Sequence, residues 1–429
     1  MNSYTNLGFG GALRDKRKPG VLWGEPMHAP LAGRKAAKPD KPWTEPASGS
    51  IEVVLRPALV DCARWSNAFA IQRKDRRYYE LVEDTIHPNF HHRYFVIKDG
   101  TGKPCAVQPF FVVDQDLIAG AGRGVKAIVD IVRGLWPHFM YMRTLMVGCA
   151  AGEGQLDGED ESMQRFCAPL LVLATLRQAC AEKAGLIVLK EFPASYRKTL
   201  QCFQRHGFIR LPSLPMTCLN IEDESFGDYM KRALSRAARK DLRRKFRAAA
   251  RAPPIDVTVL SDISLIVDVV YPLYIQVYNR SNLRFEKLTA EFLRELGRRM
   301  PDKTRFFVWR QCGRIVAIGI CMVQGDAIHD EYIGLDYSVA LDLHLYHYTF
   351  RDIITWAIAN GYKRYRSNGP NYDPKLHLRC QLEPLDLYVR HTSRAIHFVM
   401  KFVLPWLEPT RYDKVLRRFS TYRELWDDP

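Results

Sequence analysis

The 429-residue chain lacks any uninterrupted apolar run of the roughly 18 residues that a membrane-crossing helix needs. It also lacks an early basic stretch followed by an apolar one, the pattern of a secretory leader. The expected compartment is therefore the cytoplasm. Ten cysteines are present, but they are scattered singly with no Cys-x-x-Cys pair, so neither a disulfide framework nor a zinc site is expected. Acid is in deficit: 47 Asp and Glu face 63 Lys and Arg, a net charge of +16. A field of that sign attracts polyanions such as nucleic acid, anionic lipid, a phosphorylated co-substrate or an acidic carrier protein. A nucleic-acid reader should add an aromatic platform or a docking motif, and neither is evident.

What is present is enough apolar material for a large core, 47% of residues, and an internal repeat. Residues 1–50 read as a flexible basic arm rich in Gly, Pro and Lys. After a strand at IEVVLRP and a helix over 65–71, RYFVIKDGTGKPCAVQPFFVVDQDL, from Arg93, matches RFFVWRQCGRIVAIGICMVQGDAI, from Arg305. Each is a β-hairpin of aromatic and β-branched strands around a Gly-containing turn. Each is followed by a strand (RTLMVGC; IHDEYIGL), a loop (AAGEGQLDGED; DYSVALD) and a helix (163–183; 343–359). A glycine, Gly185 or Gly361, is expected as the left-handed cap before the next strand, LIVLKEF or YKRYRSN. The copies predict an α/β protein of two units over 51–225 and 255–395. Between them, 226–254 is expected as a basic linker helix, since Lys231 to Arg251 holds ten basic residues and one acid before Pro253 and Pro254. A tail over 396–429 follows.

This order of elements resembles the acyltransferase core of the GNAT superfamily, and its duplication resembles the FemAB-like branch. The segments that carry the likeness are FFVWRQCGRIVAIGICMVQGDAIHDEYIGLD, ANGYKRYRSNGPNYDPKLHLRCQLEPL and LKEFPASYRKTLQCFQRHGFIRLPSLPMTCLNI. The resemblance implies two tandem GNAT-like domains with mixed sheets flanked by helices. It also implies a third strand that parts from its neighbour to admit an acyl thioester, with pyrophosphate received at the next helix N-terminus. The usual Gly-rich loop is absent: only Gly152 and Gly154 stand in the first copy's acidic loop, and no glycine lies between Leu335 and Leu343. The donor is expected to be acyl-CoA or an acyl carrier protein, with aminoacyl-tRNA less favoured.

Acyl transfer to an amine needs a proton acceptor and donors for the developing oxyanion. No serine or cysteine stands in a nucleophile motif, so direct transfer is expected, in the second copy. On its third strand, alternation sets His329, Glu331 and Ile333 on one face and Asp330 and Tyr332 on the other. Charge amid an apolar sheet is costly unless paired or used. Glu331 and His329 are therefore the first candidates for base, with Asp330 the alternate. Tyr348 is the candidate acid for the leaving thiolate, by the role tyrosine often has in the resembled family. His344 and His347 share its helix surface and no metal is expected there. Asn368, Tyr372 and Lys375 resemble the family's substrate-closing segment, and Arg379 is a candidate phosphate anchor.

Two segments, KAIVDIVRGLWPHFMYMR from Lys126 and AIHFVMKFVLPWLEPTRYDKVLRRF, mix apolar and basic residues as interfacial helices do. The second has 13 residues before its acid, too few to span a bilayer. Peripheral contact with an anionic membrane surface follows. The expected acceptor is the primary amine of an amino lipid or sphingoid-type base, giving a ceramide-like product. The alternatives are aminoacyl-tRNA-dependent transfer to a peptidoglycan precursor and a binding module without chemistry.

Overall fold

The apolar alternation of the two repeats folds into two sheets that share strands. The computed structural model describes residues 48–86, 90–116, 123–135, 141–281, 285–369 and 371–427. The basic arm over 1–47 lies outside the described residues, as does the segment 136–140 within the first amphipathic stretch. The first repeat comprises β1 (Ser50–Val54), α1 (Cys62–Ser66), α2 (Arg76–Thr85), β2 (His91–Lys98), β3 (Pro104–Asp116), α3 (Arg123–Leu135) and β4 (Tyr141–Val147). It continues with α4 (Glu161–Ala181), β5 (Leu186–Pro193), α5 (Arg197–Arg205), β6 (Ile209–Pro212) and β7 (Met216–Asn220). Two helices, α6 (Phe226–Ala233) and α7 (Arg236–Ala249), occupy the stretch read as one linker helix. The second repeat comprises β8 (Ile255–Leu260), α8 (Val267–Arg280), α9 (Ala290–Arg299), β9 (Thr304–Gln311), β10 (Arg314–Gln324), β11 (Ala327–Leu335) and α10 (Leu345–Ala359). It ends with β12 (Arg364–Ser367), α11 (Tyr372–His377), β13 (Gln381–Glu383), β14 (Leu385–His391) and α12 (Arg394–Leu407).

Strand order is β1-β2-β3-β4-β5-β14-β6 in one sheet and β8-β9-β10-β11-β12-β7-β13 in the other, read from the matching edge. The two orders are the same, and each repeat donates one strand to its sibling's sheet: β14 enters between β5 and β6, and β7 lies between β12 and β13. Neither repeat is complete alone. The exchanged β14 is held by Asp386, which is fully buried and ion-paired to Arg197 at 2.6 Å and Arg210 at 3.1 Å. On β7, Thr217 meets Ser367 Oγ at 3.1 Å.

Five layers result. α4 and α5 pack on the outer face of the first sheet, around Phe95, Phe110, Phe192 and Phe203. α6, α7 and α10 pack on the outer face of the second, around Phe226, Tyr229, Trp309 and Phe350. A shared core between the sheets joins Tyr94, Val113 and Val188 to Ile318, Met322 and Phe306, with α2, α8 and α9 inside it. Helix starts are set by side-chain caps: Asp75, Asp160, Ser225, Ser235 and Thr289 each accept from a first-turn N–H. Gly361 takes the expected left-handed cap, with φ +77. After α4 that conformation falls instead to Lys183, at φ 55, and Ala184 N–H closes onto Ala179 O at 2.8 Å. At Gly185 space is tight, since a Cβ there would lie 3.3 Å from the Met142 side chain.

Candidate functional site

The parallel ladder between β11 and β12 runs from Ala327↔Arg364 to Asp330↔Ser367 and stops. On its other side β11 pairs Asp330 with Cys321 and Tyr332 with Ile320, skipping Glu331. Glu331 is thus a β-bulge with no strand partner on either side, at the place where β11 and β12 part. A bulge re-aims side chains and leaves a residue out of the ladder. Here it breaks the expected alternation: Tyr332 turns to the central layer with Glu331, meeting Tyr274 at 6.2 Å and Glu286 through its hydroxyl. Asp330 faces the outer core.

Glu331 meets residues of the first repeat. Arg73 Nε donates to its Oε1 at 2.6 Å, Asn368 Nδ2 donates to Oε2 at 2.7 Å, and Lys74 Nζ lies 3.7 Å away. Arg73 and Lys74 also bind Glu153, at 2.5 and 2.7 Å, so two cations and two carboxylates form a sealed network. Arg73 and Lys74 come from the turn before α2, and Glu153 comes from the loop after β4. Gly152 makes room for this network: at φ +97, a Cβ there would fall 1.9 Å from Lys74 Nζ. His329 is buried on the same face, and among the described residues its Nε2 has no hydrogen-bond partner. Burial, reinforced by Arg73, drives its pKa well below the usual histidine value, so the imidazole is neutral.

Asp330 differs from both neighbours in being partly accessible. It accepts from Tyr365 Oη at 2.8 Å and lies beside Cys321. Burial raises its pKa from 3.8 to about 6, against opposing pulls from Tyr365 and Lys375. Lys375 is buried, which lowers its pKa to about 8, and it donates to the carbonyls of Asn368 and Gly369 at 2.7 and 2.9 Å. Asn368 is therefore held rigidly against Glu331. Tyr372 packs on Phe419, and its hydroxyl donates to Pro215 O at 2.9 Å. Arg379 is exposed at φ +60 and lines a cavity of about 460 Å³ beside Arg232, at the β7–β13 edge of the sheet.

Tyr348 lies on α10 with the Arg351 guanidinium 3.8 Å from its ring centre, beside Phe246 of α7. His344 precedes α10 in the left-handed conformation, and burial followed by Lys245 and Arg244 lowers its pKa. His347 has its pKa pushed down to about 4 by burial and Lys245, and its neutral Nε2 accepts from Lys245 Nζ at 3.1 Å. α7 is thus not a free linker: Leu242 and Ala249 are buried, and its cations stand at the N-terminal end of α10. The preceding loop offers few free amides. The N–H groups of Tyr337, Ser338, Val339, Ala340, Leu343, His344 and Leu345 are all taken by Gln276, Asp336 and loop carbonyls. A phosphate arriving there meets side-chain cations in place of a glycine-rich backbone cradle.

The first repeat shows the same geometry closed. Its ladder ends at Val147↔Leu189, so Gly148 stands where Glu331 stands and Lys190 where Asn368 stands. The loop after β4 folds back there, Gly154 N–H donating to Glu191 O at 3.0 Å. A Cβ on Gly154 would sit 2.5 Å from Lys190 O, so backbone fills the opening.

Residues 236–376 match the family model described as an acetyltransferase (GNAT) domain, from the first turn of α7 into α11. Over that stretch, about a third of the chain, the protein is similar to GNAT acetyltransferase domains. No curated protein matches it. Among solved structures it is similar to a tandem GNAT protein from the clavulanic acid biosynthesis pathway, at 10% identity and a TM-score of 0.45, over 80% of this chain and 99% of that one. It is also similar to FemX, at 11% identity and a TM-score of 0.44, over 73% and 90% of the two chains. A third is the C-terminal domain of a putative lysylphosphatidylglycerol synthetase from Agrobacterium fabrum, at 14% identity and a TM-score of 0.41, over 63% and 84%.

Proposed function

We propose that the second repeat transfers an acyl group from acyl-CoA to the primary amine of a membrane lipid, an amino lipid or sphingoid-type base. The observation that carries the chemistry is the parting of β11 from β12 at the bulged Glu331, with Asp330 partly accessible beside it. Asp330, with its pKa near 6, is ionised at neutral pH and accepts the amine's proton. The amine nitrogen attacks the thioester carbonyl, the C–S bond breaks, and coenzyme A leaves as the thiol once the thiolate is protonated. The backbone amide of Glu331, at the bulge, donates to the developing oxyanion. Glu331, His329 and Asn368 position this segment against Arg73 and Lys74. Arg244 and Lys245 hold the donor's phosphates at the head of α10.

The lipid nature of the acceptor is supported by the apolar, basic-flanked α12 and the +16 charge. The test is mass spectrometry of lipids from cells with and without the gene. Loss of an N-acylated lipid with build-up of its free amine supports the reading. An unchanged profile counts against a lipid acceptor and turns the search to peptidoglycan precursors.

A further inference from the structure

α12 leaves β14 at the end of the sheet where β3 delivers α3 and β4 begins, since His391 pairs with Leu186 and Leu186 with Thr144. Among its described large side chains, Met400 and Leu404 pack on the shared core. At 100° per residue, Ile396, Phe398, Val399, Phe402, Val403 and Trp406 fall on one arc of the helix away from those two. All six are exposed: Trp406 by 69%, Phe398 by 63% and Phe402 by 62%. At the same end of the sheet, α3 exposes Ile131 and Leu135. A soluble surface does not leave so many large apolar groups together in water without a use.

The flank is basic. Between Arg394 and Arg418 the chain carries six cations and two acids, and both acids are spent on backbone amides: Glu408 accepts from Thr410 and Arg411, and Asp413 from Val415 and Leu416. Arg394, Lys401, Lys414 and Arg417 are exposed. A second copy of this chain would bring the same cations and the same +16 charge to the contact, whereas an anionic bilayer is complementary in both charge and apolarity. No helix among the described residues is long and apolar enough to cross a membrane. We propose that α12 lies in the interfacial plane of an anionic lipid bilayer, its aromatic arc inserted among the acyl chains and its cations at the headgroups. This goes beyond the acyl-transfer reading and stands independently of it.

The test is flotation of the full chain with vesicles of phosphatidylcholine containing phosphatidylglycerol, against vesicles of phosphatidylcholine alone. The protein should float with the anionic vesicles, and less so as salt rises. A variant carrying Phe398→Ser, Phe402→Ser and Trp406→Ser should bind at least about tenfold more weakly while its urea unfolding is unchanged. Arg394→Glu with Lys401→Glu should abolish the preference for the anionic vesicles. Thiol release from acyl-CoA with a water-soluble amine should be the same in all three proteins, which separates docking from chemistry. The proposal is overturned if the unaltered chain stays out of anionic vesicles or if the triple variant floats as well as it does. A stable dimer that the triple variant dissociates would also overturn it.

Discussion

Replacing Asp330 by Asn should abolish turnover and, at pH 8, make the protein more stable. The carboxyl is raised from 3.8 to about 6 because its environment penalises the charged form. A group whose folded pKa lies above its unfolded value contributes stability that is full below about pH 4 and is lost as pH rises through 6. By pH 8 the ionised carboxylate costs up to about 3 kcal/mol, and roughly 1–3 kcal/mol once its partial exposure is discounted. Asn stays neutral and can still accept from Tyr365. Urea unfolding at pH 8 should therefore show the variant stabilised by roughly 1–3 kcal/mol, with the gain vanishing near pH 4. Loss of a general base should lower kcat by about 10²–10⁴-fold. In the unaltered enzyme kcat/KM should rise with pH through an acid limb near 6, and the variant should lack that limb. A variant that keeps the limb and the turnover, or that is destabilised at pH 8, refutes the assignment.

Arg73→Ala should leave the buried Glu331 and Glu153 sharing the single cation Lys74 and cost about 3–5 kcal/mol, measured by denaturant unfolding. Gly152→Ala should destabilise by at least about 1–3 kcal/mol through its positive φ and the collision with Lys74, seen as a lowered Tm. Arg244→Ala with Lys245→Ala should raise KM for acyl-CoA several-fold with kcat little changed, because uniform phosphate binding is what is lost. An unchanged KM would remove α7 from the donor site.

The sheets were legible because hairpins repeat in period, apolarity and turn chemistry. The strand exchange was not: β7 and β14 show the same alternation whichever sheet they join, and the contacts that hold them, Asp386 with Arg197 and Arg210 for β14 and Thr217 with Ser367 for β7, join residues far apart in sequence. The position of Glu331 on β11 was legible as charge within an apolar strand, whereas the bulge was not, because alternation carries no mark of an inserted residue. Tyr332 was therefore assigned to the wrong face. Arg73 and Lys74 sit in the charged run QRKDRR, where nothing local marks them as sealed beneath the second repeat. Glu153 looked like one more acid in an acidic loop; its neighbours Gly152 and Gly154, needed for close packing, were the available clue. The basic helix was visible, but its contact with α10 required the burial of Leu242 and Ala249.

The most direct test incubates the purified chain and its Asp330→Asn variant with a long-chain acyl-CoA and a sphingoid-type amine, following free thiol and the N-acyl product by mass spectrometry. The account predicts amine-dependent thiol release matched by N-acyl lipid from the unaltered chain and near-complete loss of both in the variant. Absence of product from the unaltered chain, or equal product from the two proteins, would contradict it.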